Sequence, residues 1–351
     1  MVVQRGLSTY KPIEEDNDGI KIPVSVIICA RNESKNLQKN LPHILNQDYP
    51  DFEVVVVNDC SIDNSEDILR TFQDSYSNLK VVKIEEHPRY KTAKKFAVTL
   101  GIKATSNEHL IFTDADCIPN SNQWISLITR HFQSPEKEIV LGFSPYDRYK
   151  GFLNKLIRYE TFQTALNYFS FALIGMPYMG VGRNLSYKKS LFFKGKGFAS
   201  HMHIPSGDDD LFVNQNATLE NVSIEFTLDA QVLSEPERTW KAYWNQKKRH
   251  LGAGKVYKKQ HQLNLGLQAA SAICFYFLFI TGLILHIEPL LLSVFFFLRL
   301  VLQVYVFYKP MKKLVSDDLL WWLIFLDPFY YIYLTAVSFT GIFNKKKIAW
   351  K

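Results

Sequence analysis

Cysteine is scarce in this sequence: Cys29, Cys60, Cys117 and Cys274 are four among 351 residues, and no two are close enough in sequence to form a ligand pair. That excludes a disulfide framework and a Cys-x-x-Cys zinc site, and reduced thiols in a cytoplasmic setting are expected. No Gly-x-Gly-x-x-Gly follows the first apolar run, which argues against a dinucleotide cofactor, and the absence of Gly-Lys-Ser/Thr argues against a P-loop. Residues 1–22 are polar and charged without an apolar core, so no signal peptide is expected. Although the net charge is +7, basic-aromatic nucleic-acid motifs are missing too.

What the chain does have is 47% hydrophobic residues, unevenly spread. Up to about residue 260, short β-branched runs alternate with charged helical stretches; beyond it lie long aromatic and aliphatic tracts. The basic residues crowd beside those tracts, at Lys247, Lys248, Arg249, Lys255, Lys258 and Lys259, and again at Lys309, Lys312 and Lys313. Such placement favours lipid headgroups over nucleic acid as the partner.

In the first part, Pro23 to Ala30, Phe52 to Val57, Leu79 to Ile84 and His109 to Thr113 read as strands. Helical stretches separate them, from Ser34 to about Gln47, after Asp63, and from Lys91 to Ala104. Strand-helix alternation implies a mostly parallel α/β sheet flanked by helices, with ligands bound outside the carboxyl ends of the strands. The polar residues collect at those ends: Arg31, Asn32 and Glu33, then Asp59, then Asp114 and Asp116. Carboxylates at i and i+2 of an extended segment can converge on one hard cation holding a diphosphate; the alternative is an acidic turn.

Four runs in order resemble glycosyltransferase family 2. Val26-Ile27-Ile28-Cys29-Ala30-Arg31-Asn32-Glu33 is similar to its first strand and turn, and Asn58-Asp59-Cys60-Ser61-Ile62-Asp63 to its Asn-Asp-Gly-Ser-x-Asp, with Cys60 in place of Gly. Lys94 to Ile102 is similar to its Lys-x-x-Ala segment and Asp114-Ala115-Asp116 to its Asp-x-Asp. The resemblance covers residues 23–255 and implies a GT-A fold, with Ala30, Asn32, Glu33, Asp59, Lys94 and Asp114 around a nucleotide-sugar, Asp59 on the base, and Asp116 with Asp114 on Mg or Mn. Further on, Ser206-Gly207-Asp208-Asp209-Asp210-Leu211 resembles the Glu-Asp-x-x-Leu region that supplies the catalytic base; the terminal Asp-Leu points to Asp208, the acidic pair slightly more to Asp209. These three carboxylates can also simply complement a helix dipole. Gln246-Lys247-Lys248-Arg249-His250 resembles the Gln-x-x-Arg-Trp motif of membrane-embedded members with His for Trp, so Gln246 and Arg249 would face the leaving diphosphate, unless they only form a solvated basic face.

Residues 265–287 and 289–307 each supply about 20 apolar residues, enough to cross a bilayer as a hairpin. A third tract, 319–343, contains Asp327-Pro328; a span is favoured over a re-entrant fold, and Asp327 would then need a partner. Residues 344–351 form a basic tail. The stretch 151–171 fits either a core helix or one lying on the membrane, and 171–181 is expected to line an acceptor groove. The whole implies an integral protein of a bacterial inner or plasma membrane with its catalytic domain cytoplasmic. It would pass a sugar, from UDP by preference, to a lipid, lipid-linked or glycan acceptor by inverting displacement. A processive synthase and a non-catalytic nucleotide-sugar-binding scaffold are the alternatives; protein partners are unknown.

Overall fold

The computed structural model describes residues 3–12, 21–85, 94–204, 206–250 and 252–343. The basic tail 344–351, the first residues of the helix expected from Lys91, and most of segment 1–22 lie outside the described residues, as does the side chain of His250.

A short helix α1 (Gly6–Thr9) precedes the alternating part: β1 (Val24–Ala30), α2 (Ser34–Leu45), β2 (Phe52–Asp59), α3 (Ser65–Ser75), β3 (Leu79–Ile84), α4 (Lys94–Ala104) and β4 (His109–Asp114). These four strands are parallel, with β1 between β2 and β4. Every residue of β1 is buried, because helices cover both faces. Ile27 and Cys29 face α4, whereas Val26 and Ile28 face Leu37 and Leu41 of α2. Close approach of α4 depends on Gly101: a Cβ there would stand 2.9 Å from Ile27 Cγ2 and 3.0 Å from Val57 Cγ2.

Beyond β4 the chain forms shorter elements: β5 (Cys117–Pro119), α5 (Trp124–Thr129), β6 (Ile139–Gly142), α6 (Phe152–Leu173), β7 (Leu185–Lys188), α7 (Lys189–Lys194), α8 (Asp210–Asn216), β8 (Val222–Glu225), β9 (Val232–Ser234) and α9 (Trp240–His250). The main sheet runs β3-β2-β1-β4-β7-β6-β8, while β5 and β9 form a separate pair. β7 lies antiparallel to both β4 and β6, so the sheet is mixed, although mostly parallel. The polarity change brings the Gly182-Arg183-Asn184 turn before β7 against the carboxyl end of β4.

Of its two expected roles, α6 takes the core one. Tyr168 donates to the Gly142 carbonyl at 2.7 Å on the sheet side, and Phe162 meets Phe307 edge-on at 5.4 Å on the other. The segment after it is partly packed into the core. Phe171 and Tyr178 are buried against each other, and Asn214 of α8 donates to the Tyr178 carbonyl at 2.8 Å. Phe171 and Tyr178 of the stretch 171–181 thus belong to the core, while Ile174 stays exposed.

Three C-terminal helices follow: α10 (Lys259–Ile284), α11 (Pro289–Lys313) and α12 (Leu323–Phe343). They are long and apolar enough to cross a membrane, with candidate spans at Lys259–Ile284, Pro289–Lys313 and Asp317–Phe339. α10 and α11 form the expected hairpin, closed by Ile287 N–H on the Gly282 carbonyl at 2.9 Å. Both helices extend past the apolar boundaries read from sequence, at 265 and 307, because polar ends continue the same hydrogen-bonded backbone. α12 passes through Pro328 as one continuous helix, the form a span requires. Asp327 has its partners: Arg299 Nη2 at 3.0 Å, Tyr159 Oη at 2.6 Å, and the Tyr276 hydroxyl.

Candidate active site

The loops after β1 and β2 are stitched together. Asn32 takes a left-handed backbone (φ 56°), donates its N–H to Ser61 Oγ at 2.9 Å, and accepts the Ile62 N–H on Oδ1 at 2.9 Å. Asp63 then accepts the N–H groups of Ser34 at 3.0 Å and Ser65 at 3.1 Å, capping α2 and α3 with one carboxylate. Cys60 keeps φ at 53°, the left-handed conformation that Gly would adopt most freely, so the turn survives the substitution.

Asp59 is wholly buried at the end of β2, with Arg31 Nη1 3.9 Å away and the Cys60 thiol beside it. Burial raises its pKa, and Arg31 and Cys60 pull it back. Beyond the Cys60 thiol and the Arg31 guanidinium, the carboxylate has acceptor capacity that a ligand N–H could use. Ala30 closes β1 opposite Asn58, and Glu33 accepts from Asn36 at 2.5 Å. The Glu33 carboxyl is pushed up by burial first, then by the negative charge of Asp116 and Asp114, against the Asn36 bond.

At the end of β4, Lys94 Nζ lies 2.9 Å from Asp114 Oδ1 and 3.3 Å from Asp208 Oδ2. Burial alone would lower the lysine pKa, but Asp114, Asp208 and Asp209 hold it well above the usual value. Asp116 sits one residue into the turn, its pKa raised by burial and by Asp114, with Arg183, the Cys117 thiol and Lys94 opposing. Two carboxylates crowded in this way are relieved by a hard cation, and their all-oxygen donor set fits Mg or Mn. Among the described residues no third His, Cys, Asp or Glu completes a protein-only cluster, so phosphate oxygens and water would fill the remaining positions.

Across the crevice, Asp209 caps α8. Its Oδ1 accepts the Asp210 N–H and its Oδ2 the Gly182 N–H, both at 2.7 Å. Burial and the neighbouring Asp208 raise its pKa, partly offset by Lys94 and those two N–H groups. Asp210 turns away from the crevice to accept the Tyr257 hydroxyl at 2.7 Å, and burial with the Asp209 charge pushes it up to about 7. Folding thus favours the protonated form of Asp210: its contribution is full below the ordinary carboxylate range and is lost as pH rises through about 7. The thermal midpoint of the wild type should therefore fall between about pH 5 and pH 8 by more than that of Asp210→Asn. Matched melting curves of the two proteins check this.

The α9 motif touches the site's surroundings at two points. Gln246 Nε2 donates to Tyr146 Oη at 3.4 Å, and the Arg183 guanidinium lies 4.2 Å from the centroid of the Tyr146 ring. Arg249 reaches the acidic loop through its backbone carbonyl, which accepts Ser206 Oγ at 3.1 Å. Its guanidinium has no carboxylate within 4.0 Å among the described residues. The motif's intervening Lys247 points elsewhere, to Glu160 of α6 at 2.8 Å.

One small cavity is lined by Cys29, Lys94, Asp114, Gly182, Asp208 and Asp209. It brings together the end of β4 and the acidic triplet; Asp59, Asn32 and Glu33 lie on the flank formed by β1 and β2, while Gln246 and Arg249 stand behind Tyr146 and Ser206 and do not line it. Arg183, Tyr146 and Tyr257 were not legible as site residues. Arg183 is placed by the turn before the reversed strand β7, Tyr146 by the segment after β6 that meets β9, and Tyr257 by the turn after α9.

A mostly parallel sheet with an Asp-x-Asp at its carboxyl edge and an acidic helix start facing it defines a GT-A architecture of the kind that binds nucleotide-sugars. The family model described as Glycosyl transferase family group 2 matches residues 109–337, well over half of the chain, and that of Glycosyl transferase family 2 matches residues 25–192. The chain belongs to glycosyltransferase family 2, with C-terminal apolar helices added. Glycosyltransferase AglE of Haloferax volcanii is 38% identical over 104 residues, 29% of this chain and 33% of that protein. The probable glycosyltransferase YdaM of Bacillus subtilis is 26% identical over 238 residues, 64% of this chain and 54% of that one. The chain thus spans between a third and about half of these relatives' length. The mannosyltransferase PcManGT of Pyrobaculum calidifontis, solved in complex with GDP-Man and Mn2+, shares the fold with a TM-score of 0.64 at 16% identity, over 98% of this chain and 94% of that one.

Proposed function

We propose that this protein transfers a sugar from a nucleotide-sugar, a UDP-sugar by preference, to a lipid, lipid-linked or glycan acceptor at the cytoplasmic face of a membrane, with inversion at the anomeric carbon. The observation that carries this reading is Lys94, which ties Asp114 of the donor side to Asp208 of the acidic triplet within one crevice. Donor and acceptor chemistry then share a single site.

In this reading the buried acceptor on Asp59 takes an N–H of the base, and Asn32 and Glu33 shape the wall beside it. Asp116 and Asp114 would hold Mg or Mn, which when bound supplies positive charge to the departing diphosphate. Lys94 and Arg249 are cations of the chain itself for the same charge. Asp208 or Asp209 takes the acceptor hydroxyl's proton as the new bond forms. Sequence slightly favours Asp209, but the hydrogen bonds support Asp208. Both oxygens of Asp209 are engaged by backbone N–H groups, whereas the Asp208 carboxylate lines the cavity beside Lys94. The neighbour solved with GDP-Man and Mn2+ supports the metal and the donor class. The three apolar helices support a membrane setting, and two to three spans favour single addition over polymer export.

The test is a panel of nucleotide-sugars offered with Mn to the detergent-solubilised full chain, reading release of free nucleoside diphosphate. Metal-dependent release from one donor is expected. Metal-dependent nucleotide binding with no release from any donor, even with lipid acceptors present, would favour the non-catalytic scaffold; no nucleotide binding would sink the reading. Product length then separates single addition from processive synthesis.

A further inference from the structure

We propose that Arg183 is a phosphate-binding residue of this site, taking a phosphoryl oxygen on its guanidinium; the inference rests on the transferase reading above. Arg183 is fixed from two sides. Its guanidinium lies over the Tyr146 ring at 4.2 Å, and Nη2 donates to the Ser144 carbonyl at 3.2 Å. Tyr146 in turn is touched by Gln246, so the motif helix α9 steadies the platform on which the arginine rests. Nη1 is buried with no hydrogen-bond partner among the described residues, an unsatisfied N–H donor on a charged group. No carboxylate lies within 4.0 Å of the guanidinium there, yet Asp116 and Asp114 are near enough for their charges to act on it.

The arginine therefore stands beside the metal-binding carboxylates without being consumed by an ion pair to either. A structural arginine would be expected to spend its donors on a carboxylate; this one keeps a donor for an acceptor that the chain does not provide. A phosphoryl group held by a cation on Asp116 presents oxygens of that kind, and the planar guanidinium suits them better than an ammonium. Neighbouring backbone adds a reason for the position. Gly182 donates its N–H to Asp209, so the turn that carries Arg183 also sets the acidic triplet. The phosphoryl group has two possible sources, the donor's diphosphate or the phosphate of a lipid acceptor, and their chemistry at Arg183 is the same.

Calorimetric titration of the full chain in detergent distinguishes them. The probes are UDP and GDP, the bare nucleosides uridine and guanosine, and a short prenyl phosphate, each with Mn and again with EDTA. Arg183→Gln is expected to weaken the diphosphate that binds the wild type by at least about tenfold, with and without metal, and to leave its nucleoside unchanged. Arg183→Lys should recover part of the loss, because it restores charge without the planar fork. Unchanged diphosphate binding with a comparable loss for the prenyl phosphate assigns the phosphoryl group to the acceptor and supports the proposal by that route. Unchanged affinity for both phosphates overturns it. So does parallel loss of nucleoside and diphosphate with no rescue by lysine, which would make Arg183 a residue of the fold. A wild type that binds no nucleoside diphosphate would count against the transferase reading instead, and the prenyl phosphate titration would still decide Arg183.

Discussion

Asp208→Asn is expected to lower kcat by about 10²–10⁴-fold while nucleoside diphosphate affinity stays within about twofold of wild type. An amide has nearly the size and shape of the carboxylate but cannot accept the acceptor's proton, so the loss should appear in the chemical step. Lys94 keeps its shorter contact with Asp114 in this variant, and the donor side of the crevice stays assembled. Asp209 should behave differently. Its two oxygens cap α8 and hold Gly182, so Asp209→Ala removes a helix cap worth about 1 kcal/mol and loosens the turn before β7. A lower thermal midpoint is then expected, together with a smaller fall in kcat. Single-turnover transfer, diphosphate titration and melting curves on both variants separate the roles. An inactive Asp209→Asn beside an active Asp208→Asn would assign the base to Asp209.

The difference between these two aspartates shows what the chain's pattern can and cannot tell. β1 and β2 are legible because each is a continuous apolar run ending in polar residues, the mark of a strand covered on both faces. Parallel strands end on one edge of their sheet, so the pattern alone already puts Asn32, Glu33, Asp59, Asp114 and Asp116 in one neighbourhood. β5 to β9 are only three or four residues long, too short for a period to register, and they make the sheet mixed. With them goes everything set by β7, above all Arg183. The triplet 208–210 is visible as three acids, but only hydrogen bonds separate a cap, a cavity-facing carboxylate and a partner of Tyr257. Likewise the apolar character of 171–181 does not say which of its residues enter the core. Phe171 and Tyr178 do, while Ile174 stays exposed.

Asp327 poses the same question within the apolar helices, where sequence demands a partner and does not name one. Arg299 of α11 supplies it, and the hydroxyls of Tyr159 and Tyr276 complete the ligation of the carboxylate. Four elements, α6, α10, α11 and α12, therefore meet on one side chain that is 1% exposed. Asp327→Leu should destabilise the protein in detergent by about 3–5 kcal/mol, because it leaves the Arg299 cation without its counter-charge in a medium that cannot solvate it. Arg299→Leu should cost a similar amount for the converse reason. The double substitution should cost much less than the two singles together, since it removes both charges, although Tyr159 and Tyr276 then lose an acceptor. Denaturant titration of the four proteins gives the coupling directly. Additive losses would mean that water or detergent already screens the pair, and that the junction of α6 with the C-terminal helices is held by apolar packing such as Phe162 on Phe307. Strong coupling would make Asp327 the fixed point from which the membrane helices position α6, and through Tyr168 on Gly142 the sheet that carries the site.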